Sequence, residues 1–110
     1  AMSEALKANQ CVKVLDLGAN RIGSDGARAI GGMLCVNKSL KLLSLSSNNL
    51  GPEGARAVAE ALKVNKSVES LDLSHNDIGM EGAQAIGEAL KVNCSLKKLY
   101  LSGTEGARAL

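Results

Sequence analysis

The chain has 110 residues, of which 45% are hydrophobic and 22% charged, with a formal net charge of +2 at pH 7. This length suits one small domain, and the hydrophobic content excludes an intrinsically disordered chain. The charge is too small to indicate nucleic-acid binding, and no run of about 18 apolar residues predicts a membrane-spanning helix. Tyr100 is the sole aromatic residue among Phe, Trp and Tyr, which favours thin stacked layers over a core built on large rings.

The chain opens in the middle of a repeating unit. Residues 3–11, SEALKANQC, align with residues 59–67, AEALKVNKS. We therefore expect a partial repeat over residues 1–11 that contains the second half of a helix. No charged segment followed by an apolar one is present here, so the sequence indicates no secretory signal peptide and predicts a cytoplasmic protein.

Complete units follow at a fixed interval, because Val12, Leu40, Val68 and Leu96 are each 28 residues apart. Internal repetition of this kind is the strongest architectural signal in the chain. We expect a single domain, residues 1–110, with complete repeats over 12–39, 40–67 and 68–95 and a partial repeat over 96–110. This last repeat lacks four residues between Gly103 and Thr104 relative to the others.

The first half of each complete unit reads apolar-x-x-Leu-x-Leu-x-x-Asn-x-apolar-Gly, as in Leu71, Leu73 and Asn76 of the third. Leucines two apart predict a short strand with one face toward the core. The asparagine follows where the chain turns, and its amide has the donors and acceptor to bond the turn and the neighbouring repeat. Strands are expected near 13–17, 41–45, 69–73 and 97–101. A ladder is expected of Asn20, Asn48 and Asn76.

The second half of each unit predicts a helix that begins after a glycine, near 24–36, 52–64 and 80–92. Apolar residues spaced i, i+3, i+7 give each helix one buried stripe. These stripes are Ala27, Ile30 and Leu34; Ala55, Val58 and Leu62; Ala83, Ile86 and Leu90. The asparagines that follow the helices stand where a left-handed cap is common, and are Asn37, Asn65 and Asn93.

These motifs resemble the leucine-rich repeat, and the period of 28 with a helix in each unit is similar to its ribonuclease-inhibitor-like class. That class includes NOD-like receptors and Ran GTPase-activating protein. The resemblance implies a right-handed α/β solenoid, a fragment of a horseshoe with a parallel sheet on the concave face and helices on the convex face. We interpret the chain as a non-catalytic protein-interaction module of a larger intracellular receptor or scaffold. A GTPase-activating or other catalysis-assisting role, and a purely structural spacer, are the alternatives.

The predicted binding surface is the set of strand and turn positions that point away from the core, because a solenoid presents them as parallel rows. Their residue types vary while the core positions hardly change. The partner is expected to be a protein of unknown identity, with no nucleic acid and no membrane. The candidate residues are Val14, Asp16, Leu42, Ser44, Ser70, Asp72, His75, Lys98 and Tyr100.

No catalytic, cofactor or metal site is predicted. Three cysteines, Cys11, Cys35 and Cys94, are odd in number and lack metal-binding spacing, so we expect free thiols. The glycine-rich residues 23–32 lack the Gly-Lys-Ser/Thr ending of a phosphate-binding loop. The three Asn-x-Ser sequons fall at one repeat position, which favours a structural role over glycosylation. Finally, the open C-terminal end predicts a weak homodimer that the charges of Lys97 and Lys98 oppose.

Overall fold

The computed structural model describes residues 13–101, in which short strands alternate with helices. The strands are β1 (Val14–Asp16), β2 (Leu42–Ser44), β3 (Ser70–Asp72) and β4 (Lys98–Tyr100). The helices are α1 (Gly23–Val36), α2 (Gly51–Leu62) and α3 (Gly79–Val92). Each strand pairs in parallel with the next one along the chain, and each helix packs on the next. The predicted α/β solenoid is confirmed. The expected helix within residues 3–11, Cys11 and residues 102–110 of the shortened last repeat lie outside the described residues.

The strands have three residues each, whereas five were predicted. Backbone pairing nevertheless continues on both sides of them. The Leu17 amide donates to the Ser44 carbonyl at 2.9 Å, and the Lys41 amide donates to the Lys13 carbonyl at 2.8 Å. The repeats are therefore joined by backbone hydrogen bonds over the predicted span.

The core lies between the sheet and the helices, and the paired leucines form its centre. Leu43 and Leu45 of the second repeat and Leu71 and Leu73 of the third are fully buried. The equivalent leucines of the first and last strands are partly buried and pack against this cluster. This gradient follows from stacking, since a middle repeat is covered on both sides by a neighbour.

The helical stripes behave as predicted except at one position. Eight of the nine residues are buried, but Leu90 is exposed. Leu34 and Leu62 stand on helices that a further helix follows and packs against. Within residues 13–101 no helix follows α3, so the outward side of Leu90 has no layer over it.

The predicted asparagine ladder is present where each strand turns toward its helix. The side-chain Oδ1 of Asn48 accepts the backbone amide of Asn20 at 2.7 Å, and its Nδ2 donates to the Leu17 carbonyl at 2.8 Å. Asn76 makes the same bonds one repeat later, to Asn48 and to the Leu45 carbonyl. We call Asn20, Asn48 and Asn76 the strand-end row.

A second row of asparagines corrects the prediction of left-handed caps. Asn37 and Asn93 have extended backbone, with φ of −76° and −80°, and Asn65 is not among the residues of positive φ. Instead the side chains bond neighbouring turns: the Nδ2 of Asn65 donates to the carbonyls of Leu34 at 2.9 Å and Asn37 at 3.1 Å. We call Asn37, Asn65 and Asn93 the helix-end row. Because the Asn65 amide is buried and bonded, the sequon there serves the fold.

Candidate protein-binding face

The outward positions of the strands form two rows across the sheet. Parallel register aligns the first residues of the strands in one row and their last residues in the other. Neighbouring strands of a sheet lie about 4.8 Å apart, so successive side chains in a row are close enough to contact one partner. The first row is Val14, Leu42, Ser70 and Lys98, and the second is Asp16, Ser44, Asp72 and Tyr100. Together they are called the strand face.

The apolar side chains of the strand face are exposed. Val14 has 62% of its surface exposed, and its neighbour in the row, Leu42, is also exposed. At the other edge of the sheet Tyr100 is exposed as well. Adjacent aliphatic side chains that remain in contact with water, together with an aromatic ring, are typical of surfaces that bind other proteins.

The two aspartates of the strand face are held in place by the turns that follow them. A carboxylate oxygen of Asp16 accepts the backbone amide of Gly18 at 2.9 Å, and one of Asp72 accepts that of Ser74 at 2.9 Å. Each carboxylate is thereby oriented before any partner arrives, which lowers the entropy lost on binding. At the opposite end of the strands, Lys41 and Glu69 form an ion pair of 4.0 Å.

His75 stands apart from the other eight predicted residues. It is exposed in the turn after β3, with φ of 60°, at the repeat position that Ala19 and Ser47 occupy in the earlier turns. The structure thus brings the strand positions together and places the histidine beyond the end of the rows.

One exposed row was missed by the sequence analysis. Val36, Val64 and Val92 occupy the same repeat position at the end of the helices, and all three are exposed. The signal that could have found them is an apolar residue repeated at 28-residue spacing but outside the buried stripe.

The chemistry that these surfaces offer is apolar contact, hydrogen bonding and charge. Within residues 13–101, no three His, Cys, Asp or Glu side chains are grouped as a metal site requires. Cys35 and Cys94 are exposed free thiols. None of the three described helices combines the length and the hydrophobicity needed to cross a bilayer.

Comparison with known proteins gives a family match and two structural relatives. A family model described as "Leucine Rich repeat" matches residues 8–31, 36–59 and 64–87. A structure described as "Leiomodin-1 Actin-Binding Site 2 (ABS2)" superposes with a TM-score of 0.85 at 33% sequence identity, over 90% of this chain and 58% of that chain. The present chain therefore spans less than two thirds of that relative.

A more distant structure is the Caenorhabditis elegans tropomodulin C-terminal domain. It superposes with a TM-score of 0.63 at 14% identity, over 93% of this chain and 83% of that chain. At this identity the likeness concerns the fold alone. Curated proteins give no match to the chain.

Proposed function

Because the chain belongs to the leucine-rich-repeat family, we propose that it is a non-catalytic module that holds a protein partner on its strand face. The observation that supports this site is the alignment of two outward rows by parallel register, with exposed Val14, Leu42 and Tyr100 and two oriented aspartates. Apolar anchors bordered by fixed charges are the usual composition of a protein interface.

We further propose that the partner is actin. The support is the likeness to the leiomodin-1 structure, which is described as an actin-binding site and shares 33% identity over 90% of this chain. On this proposal the parent protein is a cytoplasmic scaffold of the actin cytoskeleton. That setting fits the free thiols of Cys35 and Cys94, since cytosolic cysteines stay reduced. The ribonuclease-inhibitor-like class, the kinship with NOD-like receptors and the predicted repeat boundaries remain predictions.

The experiment that tests this function is co-sedimentation of the chain with filamentous actin, together with fluorescence anisotropy on monomeric actin. Val14→Asp and Tyr100→Ala alter exposed side chains of the strand face, and each should weaken binding about tenfold if it removes an interface anchor. Met80→Asp, which changes a similarly exposed apolar side chain away from the strand face, is the control and should bind as the unmodified chain does.

Two results would contradict separate parts of the proposal. If the chain binds neither form of actin, the partner is wrong. If it binds actin and the double variant Val14→Asp, Tyr100→Ala binds equally well with an unchanged melting transition, the strand face is wrong and the site lies elsewhere.

The weak homodimer through the C-terminal end also remains a prediction. Sedimentation equilibrium over micromolar to millimolar protein, at low and high salt, tests it. A molecular mass that rises with concentration, and more steeply at high salt where lysine repulsion is screened, is the expected result. A monomer under all conditions would contradict it.

A further inference from the structure

The lysines of the chain concentrate along one edge of the solenoid, where helices end and strands begin. Every lysine within residues 13–101 stands in the last turn of a helix, in the turn that follows a helix, immediately before a strand or at the first residue of a strand. Three acidic residues within this part of the chain lie next to the edge, and each forms an ion pair with a lysine. The pairs are Glu60 with Lys63, Glu88 with Lys91 and Glu69 with Lys41. Lysines outnumber acids there, so the edge, called here the lysine edge, carries a net positive charge.

Exposed valines lie on the same edge. Val36, Val64 and Val92 have 47%, 55% and 59% of their surfaces exposed, although each lies at the end of a helix or two residues beyond it, and the other apolar residues of these helices are largely buried. Such a row adds nothing to the core, and repeated apolar side chains in contact with water are unfavourable for an isolated protein. The valines and lysines together form an amphipathic surface.

Two grooves between successive repeats combine these residues. The first, of about 350 Å³, is lined by Val64 with Lys38, Lys41 and Lys66 among others. The second, of about 380 Å³, is lined by Val92 with Lys63 and Lys66. The grooves are thus related by the repeat, and each offers an apolar wall next to positive charge. Lys66 borders both.

We propose that the lysine edge is a second protein-binding surface, which takes an extended acidic segment of a partner with apolar side chains in the two grooves. Repeats are spaced by about 4.8 Å at the strands and 8–10 Å at the helices, and the grooves lie between these two layers. An extended chain places alternate side chains about 6.6 Å apart on one side, within that interval. Carboxylates at the flanking positions on the same side of the segment meet the lysines. The two grooves can accept individual side chains, which a flat bilayer surface does not supply.

This surface is separate from the strand face and goes beyond the proposed function, because the two rows of the strand face do not line the grooves. The grooves also contain their own reporters. Cys35 lines the first and Cys94 the second, and both thiols are exposed. A bound segment should therefore shield both thiols from alkylation.

The experiment uses the full chain carrying Cys11→Ser and an N-acetylated ten-residue peptide in which two leucines, two positions apart, stand among glutamates. A matched peptide has serines in place of the leucines. We expect the leucine peptide to bind about tenfold more tightly than the serine peptide, because each leucine side chain leaves water. The leucine peptide should also slow alkylation of both thiols. Salt at 0.5 M should weaken the binding of this peptide, because it screens the attraction between carboxylates and lysines.

Val64→Asp and Lys66→Glu should each weaken binding of the leucine peptide about tenfold, whereas Val14→Asp, the same change on the strand face, should leave it unchanged. Circular dichroism checks that the variants fold. Thiol alkylation is measured on a chain without any substitution on the lysine edge, so it does not depend on whether those variants fold. Equal binding of the two peptides, or unchanged thiol reactivity, overturns the proposal. So does binding to phosphatidylserine vesicles without binding to the peptide, which would make the surface a membrane contact. Failure to bind actin has no bearing on these outcomes.

Discussion

The two asparagine rows occupy opposite ends of each repeat and differ in where their hydrogen bonds reach. In the strand-end row, Asn48 exchanges bonds in both directions with the preceding repeat. Its Oδ1 accepts the amides of Asn20 at 2.7 Å and Ile22 at 3.3 Å, and its Nδ2 donates to the Leu17 carbonyl at 2.8 Å. The Asn48 side chain thus supplies hydrogen bonds between the turns that follow β1 and β2, which lie outside the paired strands.

In the helix-end row, the Oδ1 of Asn65 accepts backbone amides only from the turn that directly follows it in the chain. Its Oδ1 takes the amides of Ser67 at 2.9 Å and Val68 at 2.8 Å, while its Nδ2 donates backward to the Leu34 carbonyl at 2.9 Å. Asn65, which is buried as Asn48 is, therefore closes a local turn through its oxygen. Only its amide nitrogen, as a donor, connects that turn to the preceding repeat. Repeat cohesion should depend more on the strand-end row than on the helix-end row.

The largest expected effect is that of Asn48→Ala. The change removes the acceptor of the Asn20 and Ile22 amides, and each backbone amide left without an acceptor costs about 1–3 kcal/mol. The carbonyls of Leu17 and Leu45 each lose one of two donors. We expect the free energy of unfolding to fall by about 3–5 kcal/mol, measured by urea denaturation with circular dichroism. Asn48→Asp keeps the shape and the acceptor but loses both amide donors, so it should also be strongly destabilised. A loss below about 1 kcal/mol would contradict the role assigned to the row.

The next effect is that of Asn65→Ala, for which we expect a loss of about 2–3 kcal/mol, because fewer bonds cross between repeats. Both variants are measured under the same conditions, and the loss of unfolding free energy should be smaller for Asn65→Ala than for Asn48→Ala. Lys66→Ala, an exposed neighbour, is the control and should change stability by less than about 0.5 kcal/mol. A loss for Asn65→Ala as large as that for Asn48→Ala would show that the two rows contribute equally to cohesion.

The sequence was sufficient to predict one row and not the other. Asn76 follows a leucine pair at the point where a strand must turn. A buried side-chain amide at that point is surrounded by the amides and carbonyls of the backbone, which are its hydrogen-bond partners. Asn65 follows a helix, where a left-handed cap is the commoner solution. The conformation at Asn65 is set instead by the backbone amides of Ser67 and Val68, which both donate to the Asn65 Oδ1. That arrangement depends on tertiary geometry, and no local pattern reports it.

The candidate surfaces were predictable to a similar extent. Alternation along the strands placed Asp72 and Tyr100 on the outward side, and equal repeat length placed them in register. The exposure of Val64 was not predicted, because an apolar residue at the end of a helix is usually covered by the next element. Whether a neighbour covers it depends on the path of the chain after the helix, which hydrophobic spacing does not determine.

A smaller effect concerns the outer part of the strand-end turn. The Asp72 carboxylate accepts the Ser74 amide at 2.9 Å on a partly exposed surface, so Asp72→Ala should cost about 1 kcal/mol. Asp72→Asn keeps an acceptor oxygen and should lose less than half of that amount. Thermal unfolding of both variants is the measurement. Equal destabilisation would mean that the negative charge, and not the hydrogen bond, stabilises the turn.

The smallest expected effect is a gain in stability, and it arises from the backbone on either side of the strand-end row. The residue after each asparagine of that row has a left-handed conformation, with φ of 53° at Arg21, 56° at Asn49 and 50° at Asp77. Asparagine and aspartate tolerate this region better than other non-glycine residues, which lose about 1–2 kcal/mol there. The second and third repeats therefore have suitable residues, and the first has a long side chain at a strained position.

Arg21→Asn should accordingly stabilise the chain by about 0.5–1 kcal/mol, seen as a higher midpoint in urea denaturation. Arg21→Gln removes the same charge without relieving the strain and should give no gain, which separates the backbone effect from electrostatics. Lys66→Asn tests the other row: the residue after Asn65 does not have positive φ, so asparagine has no strain to relieve there. If Lys66→Asn stabilises the chain as much as Arg21→Asn does, the gain does not come from left-handed backbone, and the two turns do not differ in the way their dihedral angles indicate.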